Sequence, residues 1–146
     1  MNTRQIDRAL RRRCRDFEAV LAADQPPLVL PTKRPLMYVL NTDPQARPGQ
    51  HWVALYIGHD DVCEYFDSFG QEPTILFERY LNRHCRDWIY NDVRLQSAVS
   101  RFCAHYCIMY CMYKSRGKSM YDLLNRFTND TGLHDVIAHK FACKLF

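Results

Sequence analysis

The sequence predicts a single domain of the α+β class, in which a mostly antiparallel sheet is packed by helices. Three observations lead to this prediction. The chain of 146 residues has the length of one domain, so two independent cores are not expected. Hydrophobic residues make up 47% and aromatic residues 13%, which excludes a disordered chain. The predicted elements follow the order α-β-β-β-α-β-α-α-α, which groups strands and helices instead of alternating them.

Residues 3–23 are predicted to form one amphipathic helix. Apolar side chains recur there at spacings of four and three residues and share one face: Ile6, Leu10, Cys14, Phe17 and Leu21. Asn2, followed three residues later by Gln5, is a capping-box signal at its start. Residues 1–16 contain six arginines and two aspartates and thereby carry the whole formal excess of +4. The basic face is either an ordinary solvated surface or a phosphate-binding surface formed by Arg4, Arg8, Arg11, Arg12 and Arg15.

The next part of the chain predicts three strands separated by loops. Residues 24–35 contain four prolines and are predicted to form an extended loop. Strands are predicted over residues 36–40, 52–57 and 62–66. The Asp-Pro and Pro-Gly pairs within residues 41–50 are typical of a loop, and Gly58-His59-Asp60-Asp61 is typical of a hairpin turn.

The C-terminal half is predicted to be mainly helical. A helix over residues 73–84 starts at a proline, which suits the first helical position. A strand over residues 88–95 and a short loop precede a helix over residues 103–114, which contains no proline or glycine and is expected to be buried. Ser119 is a favourable N-cap for a helix that extends to Phe127, and a last helix is predicted over residues 135–143.

The composition also restricts where the protein is expected to act. The longest apolar runs are far shorter than the roughly 20 residues of a bilayer span, and the arginine-rich N-terminus does not resemble a secretory signal. We therefore expect an intracellular, non-secreted protein that does not enter a membrane. Seven cysteines without an export signal predict reduced thiols, so a cysteine is first a candidate nucleophile or metal ligand.

Cys103 is the candidate nucleophile because it lies where a loop becomes a helix. The free N–H groups and partial positive charge of a helix N-terminus stabilise a thiolate. Cys107 and Cys111 follow on the same face at four-residue spacing and are expected to be buried and inert. His105 lies two residues along the helix and therefore points away from Cys103.

The general base and its partners are predicted at the ends of strands. His51 opens the strongest strand, directly after a Pro-Gly loop, so its ring can project from the sheet edge. If the hairpin turns near His59, His51 and Asp67 lie opposite each other on neighbouring strands, which places the carboxylate beside the ring. Gln96 ends the strand that leads into the Cys103 loop. Its side-chain N–H and the Cys103 backbone N–H are the candidate donors to an oxyanion.

These residues stand in a pattern that resembles the adenovirus-type cysteine endopeptidase (adenain) family. The resemblance covers residues 24–141 and has four blocks in the order His…Asp…Gln…Cys. The blocks are His51-Trp52, Tyr65-Phe66-Asp67-Ser68-Phe69-Gly70, Gln96 and Cys103-Ala104-His105-Tyr106-Cys107. The segments Asn41-Thr42-Asp43-Pro44 and Gly49-Gln50-His51-Trp52-Val53-Ala54 are closer still to the versions carried by Polinton/Maverick elements and related double-stranded DNA viruses. Ubiquitin-like-protein proteases are more distant relatives.

The resemblance implies a peptide-bond hydrolase. In it Cys103 is the nucleophile, His51 the general base, Asp67 its orienting carboxylate and Gln96 the oxyanion donor, while Trp52 packs against the His51 ring. The implied substrates are capsid and core precursor proteins, cut in the host nucleus and the virion by an enzyme that we expect to be monomeric. The sequence requires no cofactor and no metal, and the resemblance implies activation by DNA or by a small peptide.

Two cysteine-protease features need separate interpretation. The residue after the nucleophile is normally glycine in the family and is Ala104 here, where a methyl group could crowd the substrate or shift the oxyanion donors. Cys85 falls at a position that resembles the family's disulfide cysteine. We interpret it as a packing residue at the end of a helix.

Three other functions stay open from the sequence alone. A ubiquitin-like-protein protease or deubiquitinase would use the same triad on other substrates. A catalytically weakened descendant, in which Ala104 has cost activity, would act as a DNA-associated protein through its basic helix. A zinc site would use Cys103, Cys107 and Cys111 with one distant ligand, although the chain lacks paired ligand knuckles.

Overall fold

The computed structural model describes residues 1–43 and 51–146. The described residues form a five-stranded sheet whose strands lie side by side in chain order. The strands are β1 Phe17–Leu21, β2 Leu36–Asn41, β3 Trp52–Ile57, β4 Val62–Phe66 and β5 Asp87–Tyr90. The predicted loop over residues 41–50 lies, from residue 44 onwards, outside the described residues.

The sheet is mixed. The central pairs β2–β3 and β3–β4 are antiparallel, as expected, whereas the edge pairs β1–β2 and β4–β5 are parallel. The parallel pairs arise because each edge strand is separated from its neighbour by a long crossover, formed by residues 22–35 on one side and by residues 67–86 on the other. The predicted α+β class is confirmed.

Helices cover both faces of the sheet. They are α1 Thr3–Arg11, α2 Ile75–His84, α3 Cys103–Ser115, α4 Met120–Leu124 and α5 Thr131–Cys143. Helix α2 packs on one face through Phe77 and Leu81, and the other helices share a second core on the opposite face. Alternate side chains of β2 enter the two cores, so all six of its residues are buried. No helix in the described ranges has the length and apolar character that a membrane crossing requires.

Helix α3 is buried around its circumference. Every residue from Cys103 to Met112 is buried, which confirms the predicted buried helix. A helix that is apolar on all sides belongs in a core, because no face of it favours water. Its packing against β3 brings Cys103 next to His51 and Trp52 at the start of that strand.

The predicted helix over residues 3–23 is wrong beyond Arg11. The capping box of Asn2 and Gln5 is present, but α1 ends at Arg11 and the chain continues into edge strand β1. The apolar residues Ile6, Leu10, Cys14 and Phe17 do share one core. Leu21 packs on the other face of the sheet, because pairing with β2 overrides the local helical spacing.

Two predicted elements around β5 have different ends. Helix α2 starts after Thr74, which caps it through its hydroxyl, rather than at Pro73. The predicted strand over residues 88–95 is shorter, because β5 ends at Tyr90. The side chain of the following residue, Asn91, hydrogen-bonds to the backbone of Asp67 in the segment after β4, and its Nδ2 also donates to the Val93 carbonyl.

The two C-terminal helices also differ at their ends. Ser119 caps α4 as predicted, but the helix ends at Leu124 and does not reach Phe127. Helix α5 starts at Thr131, before the predicted position, because Asp130 provides an N-cap there.

A disulfide joins Cys63 of β4 to Cys85, the residue that follows α2. Their Cα atoms are 6.0 Å apart, a separation that suits a disulfide. The expectation of reduced thiols is therefore wrong for this pair, as is the interpretation of Cys85 as a packing residue. The crossover through α2 brings the two residues together, and this proximity is not visible in the sequence. The free cysteines are Cys14, Cys103, Cys107, Cys111 and Cys143.

Candidate active site

Cys103 occupies the first position of α3 and borders a cavity of about 440 Å³. The cavity is also lined by other residues that the sequence analysis selected: His51, Trp52, Gln96 and Ala104. Only 7% of Cys103 is exposed, and the residue lines this cavity. The fold thus brings candidate groups together from the start of β3, the segment after β5 and the start of α3.

His51 is held by Asp67. The ring nitrogen Nε2 lies 2.6 Å from Asp67 Oδ1, and the same carboxylate oxygen accepts the Phe69 backbone N–H at 2.8 Å. The Cys103 thiol also interacts with the ring, and each of the two groups shifts the pKa of the other. Because Nε2 is engaged with Asp67, Nδ1 is the ring nitrogen that remains for another partner.

The strand register differs from the one used to predict this contact. Ala54 pairs with Phe66, so continuing the register places Phe69, and not Asp67, across from His51. The rings of His51 and Phe69 are stacked with their centroids 4.8 Å apart. Asp67 still reaches His51 because a two-residue shift leaves a side chain on the same face as a diagonal neighbour.

The two titrating groups of this pair affect each other. Burial alone lowers the pKa of His51, but its hydrogen bonds to Asp67 and Cys103 reverse this effect and raise the pKa to about 9. Burial alone raises the pKa of the Cys103 thiol, but the hydrogen bond from His51 and backbone hydrogen bonds at Trp52 and Ala104 lower it overall. The site therefore favours a thiolate beside an imidazolium.

Asn91 anchors the backbone of Asp67. Its Oδ1 accepts the Asp67 N–H at 2.8 Å, and its Nδ2 donates to the Asp67 carbonyl at 2.6 Å. The side chain is almost completely buried and so acts as a substitute for a strand partner. Sequence reasoning missed this residue, because an asparagine after a strand is also typical of an ordinary turn.

Gln96 lines the same cavity as Cys103 and is held by two partners. Its Oε1 accepts the Ser68 hydroxyl at 2.6 Å, and its Nε2 donates to the Ser100 carbonyl at 3.0 Å. Both Gln96 and Ser68 are buried. Ser68 is a second residue that the sequence analysis did not identify.

The segment after β4 packs tightly on the segment that carries Gln96. The Arg94 guanidinium carbon lies 5.3 Å from the centroid of the Phe69 ring, and Arg94 Nε donates to the Gln96 carbonyl at 3.0 Å. Gly70 has a φ of +69°, and a Cβ there would lie 2.6 Å from the Val93 carbonyl carbon. Only glycine permits this close approach.

Trp52 and Ala104 both line the cavity beside Cys103. Trp52 is half-buried against the core on the α3 face. Phe69 stacks on the His51 ring, which the sequence analysis did not predict, and packing of Trp52 against the same ring stays a prediction. Ala104 is buried in the same core, so a glycine there would remove a packed methyl group from the cavity edge.

The other candidate ligands of α3 do not join the site. Burial raises the pKa of Cys107 and Cys111 well above the usual range, so both stay thiols. His105 contacts the rings of Phe102 and His139. Within residues 1–43 and 51–146, no group of three or more histidine, cysteine, aspartate or glutamate side chains is placed to hold a metal ion.

The predicted basic face forms a separate groove of about 580 Å³ between α1 and β1. It is lined by Arg4, Arg8, Arg11 and Arg12, with Asp7, Ala19 and Val20. Arg11 pairs with Asp7 at 2.7 Å, and no ion pair of the described residues involves the other three arginines. Arg15 is not among the described residues that line this groove.

The fold is that of cysteine proteases. The sequence matches no protein-family model. A cysteine protease of African swine fever virus is 42% identical to this chain over 48 residues, which are 31% of this chain and 18% of that protein. A crystal structure of the same viral protease has a TM-score of 0.59 and 26% identity, covering 77% of this chain and 43% of the protease chain. This chain therefore spans less than half the length of the viral protease that it matches.

Two further solved structures share the fold at low sequence identity. The SUMO protease Ulp1, with its catalytic cysteine oxidised to a sulfinic acid, has a TM-score of 0.54 and 13% identity, covering 99% of this chain and 78% of that chain. The central domain of an uncharacterized Legionella pneumophila protein has a TM-score of 0.58 and 14% identity, covering 100% and 98%. These similarities concern the fold, and function depends on the site.

Proposed function

We propose that the protein is a cysteine endopeptidase that cleaves peptide bonds by acyl transfer. One observation supports this most strongly: Cys103 and His51 line one cavity, and the His51 ring is hydrogen-bonded to the Asp67 carboxylate. A nucleophile, a base and an orienting group in this order are what acyl transfer by a thiol requires. The sequence similarity to a viral cysteine protease supports the same reaction.

In the proposed mechanism, the Cys103 thiolate attacks the carbonyl carbon of the scissile peptide bond. The carbonyl oxygen becomes an oxyanion, which accepts hydrogen bonds from Gln96 Nε2 and the Cys103 backbone N–H. His51 donates the proton on Nδ1 to the leaving amine, and the amine product departs. His51 then takes a proton from water, which attacks the thioester and releases the acyl product.

The proposed substrates are capsid or core precursor proteins of a virus or transposon. This is supported by the Polinton/Maverick-like residues around His51 and by the similarity to the African swine fever virus protease. A ubiquitin-like-protein protease is the second candidate, because the SUMO protease Ulp1 has the same fold over almost this whole chain. Cleavage of a capsid-type peptide but not of a ubiquitin-type fusion protein would favour the first.

Labelling with a peptide electrophile tests the proposed reaction. The wild-type protein is treated with a peptide that carries a thiol-reactive warhead, and the modified cysteine is mapped by mass spectrometry. We expect modification at Cys103, because its pKa is lowered by His51 and the cavity holds the peptide. The exposed Cys143 is an internal control for indiscriminate alkylation. Labelling of Cys143 ahead of Cys103 would contradict the proposal.

We also propose that the groove between α1 and β1 binds the phosphates of DNA. This groove is lined by Arg4, Arg8 and Arg12, and none of the ion pairs among the described residues includes them. An array of this kind contacts the phosphate backbone without reading bases. Such binding would hold the enzyme near substrates that are themselves bound to DNA, and it is compatible with activation by DNA.

Replacing Arg4, Arg8 and Arg12 together with glutamine is expected to weaken duplex DNA binding and to flatten its salt dependence. Each phosphate contact contributes about −0.9 to the log–log slope of affinity against salt, so the slope should fall by up to about 3. Fluorescence anisotropy of labelled duplex DNA at several salt concentrations measures the affinity and its salt dependence. A matched variant with glutamine at the exposed Arg79, Arg83 and Arg126 controls for net charge. Equal slopes for the two variants would remove DNA from the proposed partners.

A further inference from the structure

Ser68 lies directly after Asp67 and contacts the other half of the candidate site. Its side chain is fully buried, and its hydroxyl donates to Gln96 Oε1 at 2.6 Å. Its carbonyl oxygen accepts the backbone N–H groups of Leu95 and Gln96, at 2.8 and 2.9 Å. One residue therefore fixes both the backbone and the side chain of Gln96.

The two partners of the Gln96 amide show which of them its oxygen faces and which its nitrogen faces. A backbone carbonyl can only accept a hydrogen bond, so the group 3.0 Å from the Ser100 carbonyl must be the amide nitrogen. Oε1 then faces Ser68, whose hydroxyl donates to it. Nε2 carries two hydrogens, and with one directed at Ser100 the other remains for a ligand in the cavity that Gln96 lines.

We propose that Ser68 is a positioning residue for the oxyanion donor, an inference that rests on the proposed peptidase function. The Ser68 hydroxyl holds the Gln96 amide in the orientation that presents Nε2 to the substrate carbonyl oxygen. A hydrogen bond accepted by Oε1 also polarises the amide, which makes its N–H a stronger donor. Without the hydroxyl, Oε1 is a buried acceptor that has lost its donor, and only the hydrogen bond to the Ser100 carbonyl still holds the amide.

The dipeptide Asp67-Ser68 thus organises both halves of the reaction. The Asp67 side chain supports the group that moves protons, His51, and the next side chain supports the group that stabilises charge, Gln96. Ser68 lies in a turn that is closed by the hydrogen bond from the Gly70 N–H to the Asp67 carbonyl at 2.7 Å, and there the two adjacent side chains reach different groups. Replacing Asp67 should therefore change the pH dependence of the reaction, and replacing Ser68 should lower kcat through Gln96.

A double-mutant cycle with Ser68→Ala and Gln96→Ala tests this role. We expect Gln96→Ala to lower kcat by about 10²–10³, the loss typical of one oxyanion donor. Ser68→Ala should lower kcat by about tenfold or more, with KM almost unchanged, because it weakens the same donor. In the Gln96→Ala background, Ser68→Ala should have no further effect on kcat, since the group that it positions is already gone.

Alkylation of Cys103 by iodoacetamide separates positioning from general damage. This reaction forms no oxyanion, so Ser68→Ala should keep the wild-type rate and its pH profile. Ser115→Ala is the matched control, because it removes a serine hydroxyl hydrogen bond of 3.0 Å at the far end of α3. It should leave kcat unchanged.

The possible outcomes separate the role of Ser68 from the proposed function. If Ser68→Ala lowers kcat equally with and without Gln96, or slows iodoacetamide as much as peptide cleavage, Ser68 acts only in the structure and the inference fails. Wild-type kcat in Ser68→Ala also overturns it. If the wild-type protein shows no peptide cleavage that Cys103→Ala abolishes, the proposed function is overturned. The proposed role of Ser68 then fails with it.

Discussion

Cys103→Ala is expected to abolish peptide cleavage, with a loss in kcat of about 10⁶-fold, as when the nucleophile of a comparable triad is removed. A methyl group cannot form the thioester, and the remaining groups of the cavity can only polarise the substrate. Peptide affinity should be retained, because the lining of the cavity is otherwise intact. A quenched fluorescent peptide measures cleavage, and binding of the same peptide to the variant measures affinity.

Cys107→Ala is the matched control for this loss. Cys107 lies one turn deeper on the same helix, is fully buried, and has a pKa raised by burial. Its replacement should leave kcat near the wild-type value and lower the free energy of unfolding by about 0.5–3 kcal/mol, as is usual for a core substitution. Cleavage that persists in Cys103→Ala, or disappears in a folded Cys107→Ala, would contradict the assignment of the nucleophile.

The residues of the proposed proton-transfer chain could be predicted because each lies at the end of a strongly marked element. Cys103 begins a long apolar segment without proline or glycine, and His51 stands between a Pro-Gly pair and an apolar strand. Asp67 follows the second strand of a hairpin with a clear turn signal. Strand and helix ends converge at sheet edges, so their residues are natural candidates for one site.

The supporting contacts could not be predicted, because they depend on distances between segments that are remote in sequence. Asn91 and Ser68 are small polar residues whose burial and partners exist only in the folded chain. The exact register of the hairpin also lies outside the local pattern, and it places Phe69 opposite His51. Residues 17–21 continue a helical spacing, and only their pairing with β2 makes them a strand.

The pH dependence of the enzyme should be bell-shaped, with limits given by the Cys103–His51 pair. The pKa of Cys103 is lowered and that of His51 is raised to about 9, despite opposing effects of burial on each. Thiolate and imidazolium therefore coexist at pH values above the lowered pKa of Cys103 and below the raised pKa of His51. kcat/KM should rise as the thiolate forms and fall as His51 loses its proton near pH 9.

Asp67→Asn is expected to narrow the pH range of activity from both sides. It should also lower kcat by up to about 10⁴-fold, as for a triad carboxylate replaced by an amide. Without the carboxylate charge 2.6 Å from Nε2, the pKa of His51 falls and the alkaline limit moves to lower pH. A ring that is less often protonated stabilises the thiolate less, so the acidic limit moves to higher pH.

KM for the same peptide should change little in Asp67→Asn, because Asp67 contacts His51 and is not among the described residues that line the Cys103 cavity. Asp92→Asn is the matched control, since it makes the same change at an exposed position next to Asn91. Full pH profiles of kcat/KM for the three proteins give the result. If Asp67→Asn keeps the wild-type limits and kcat, Asp67 only stabilises the end of β4, and His51 must retain its proton through Cys103 alone.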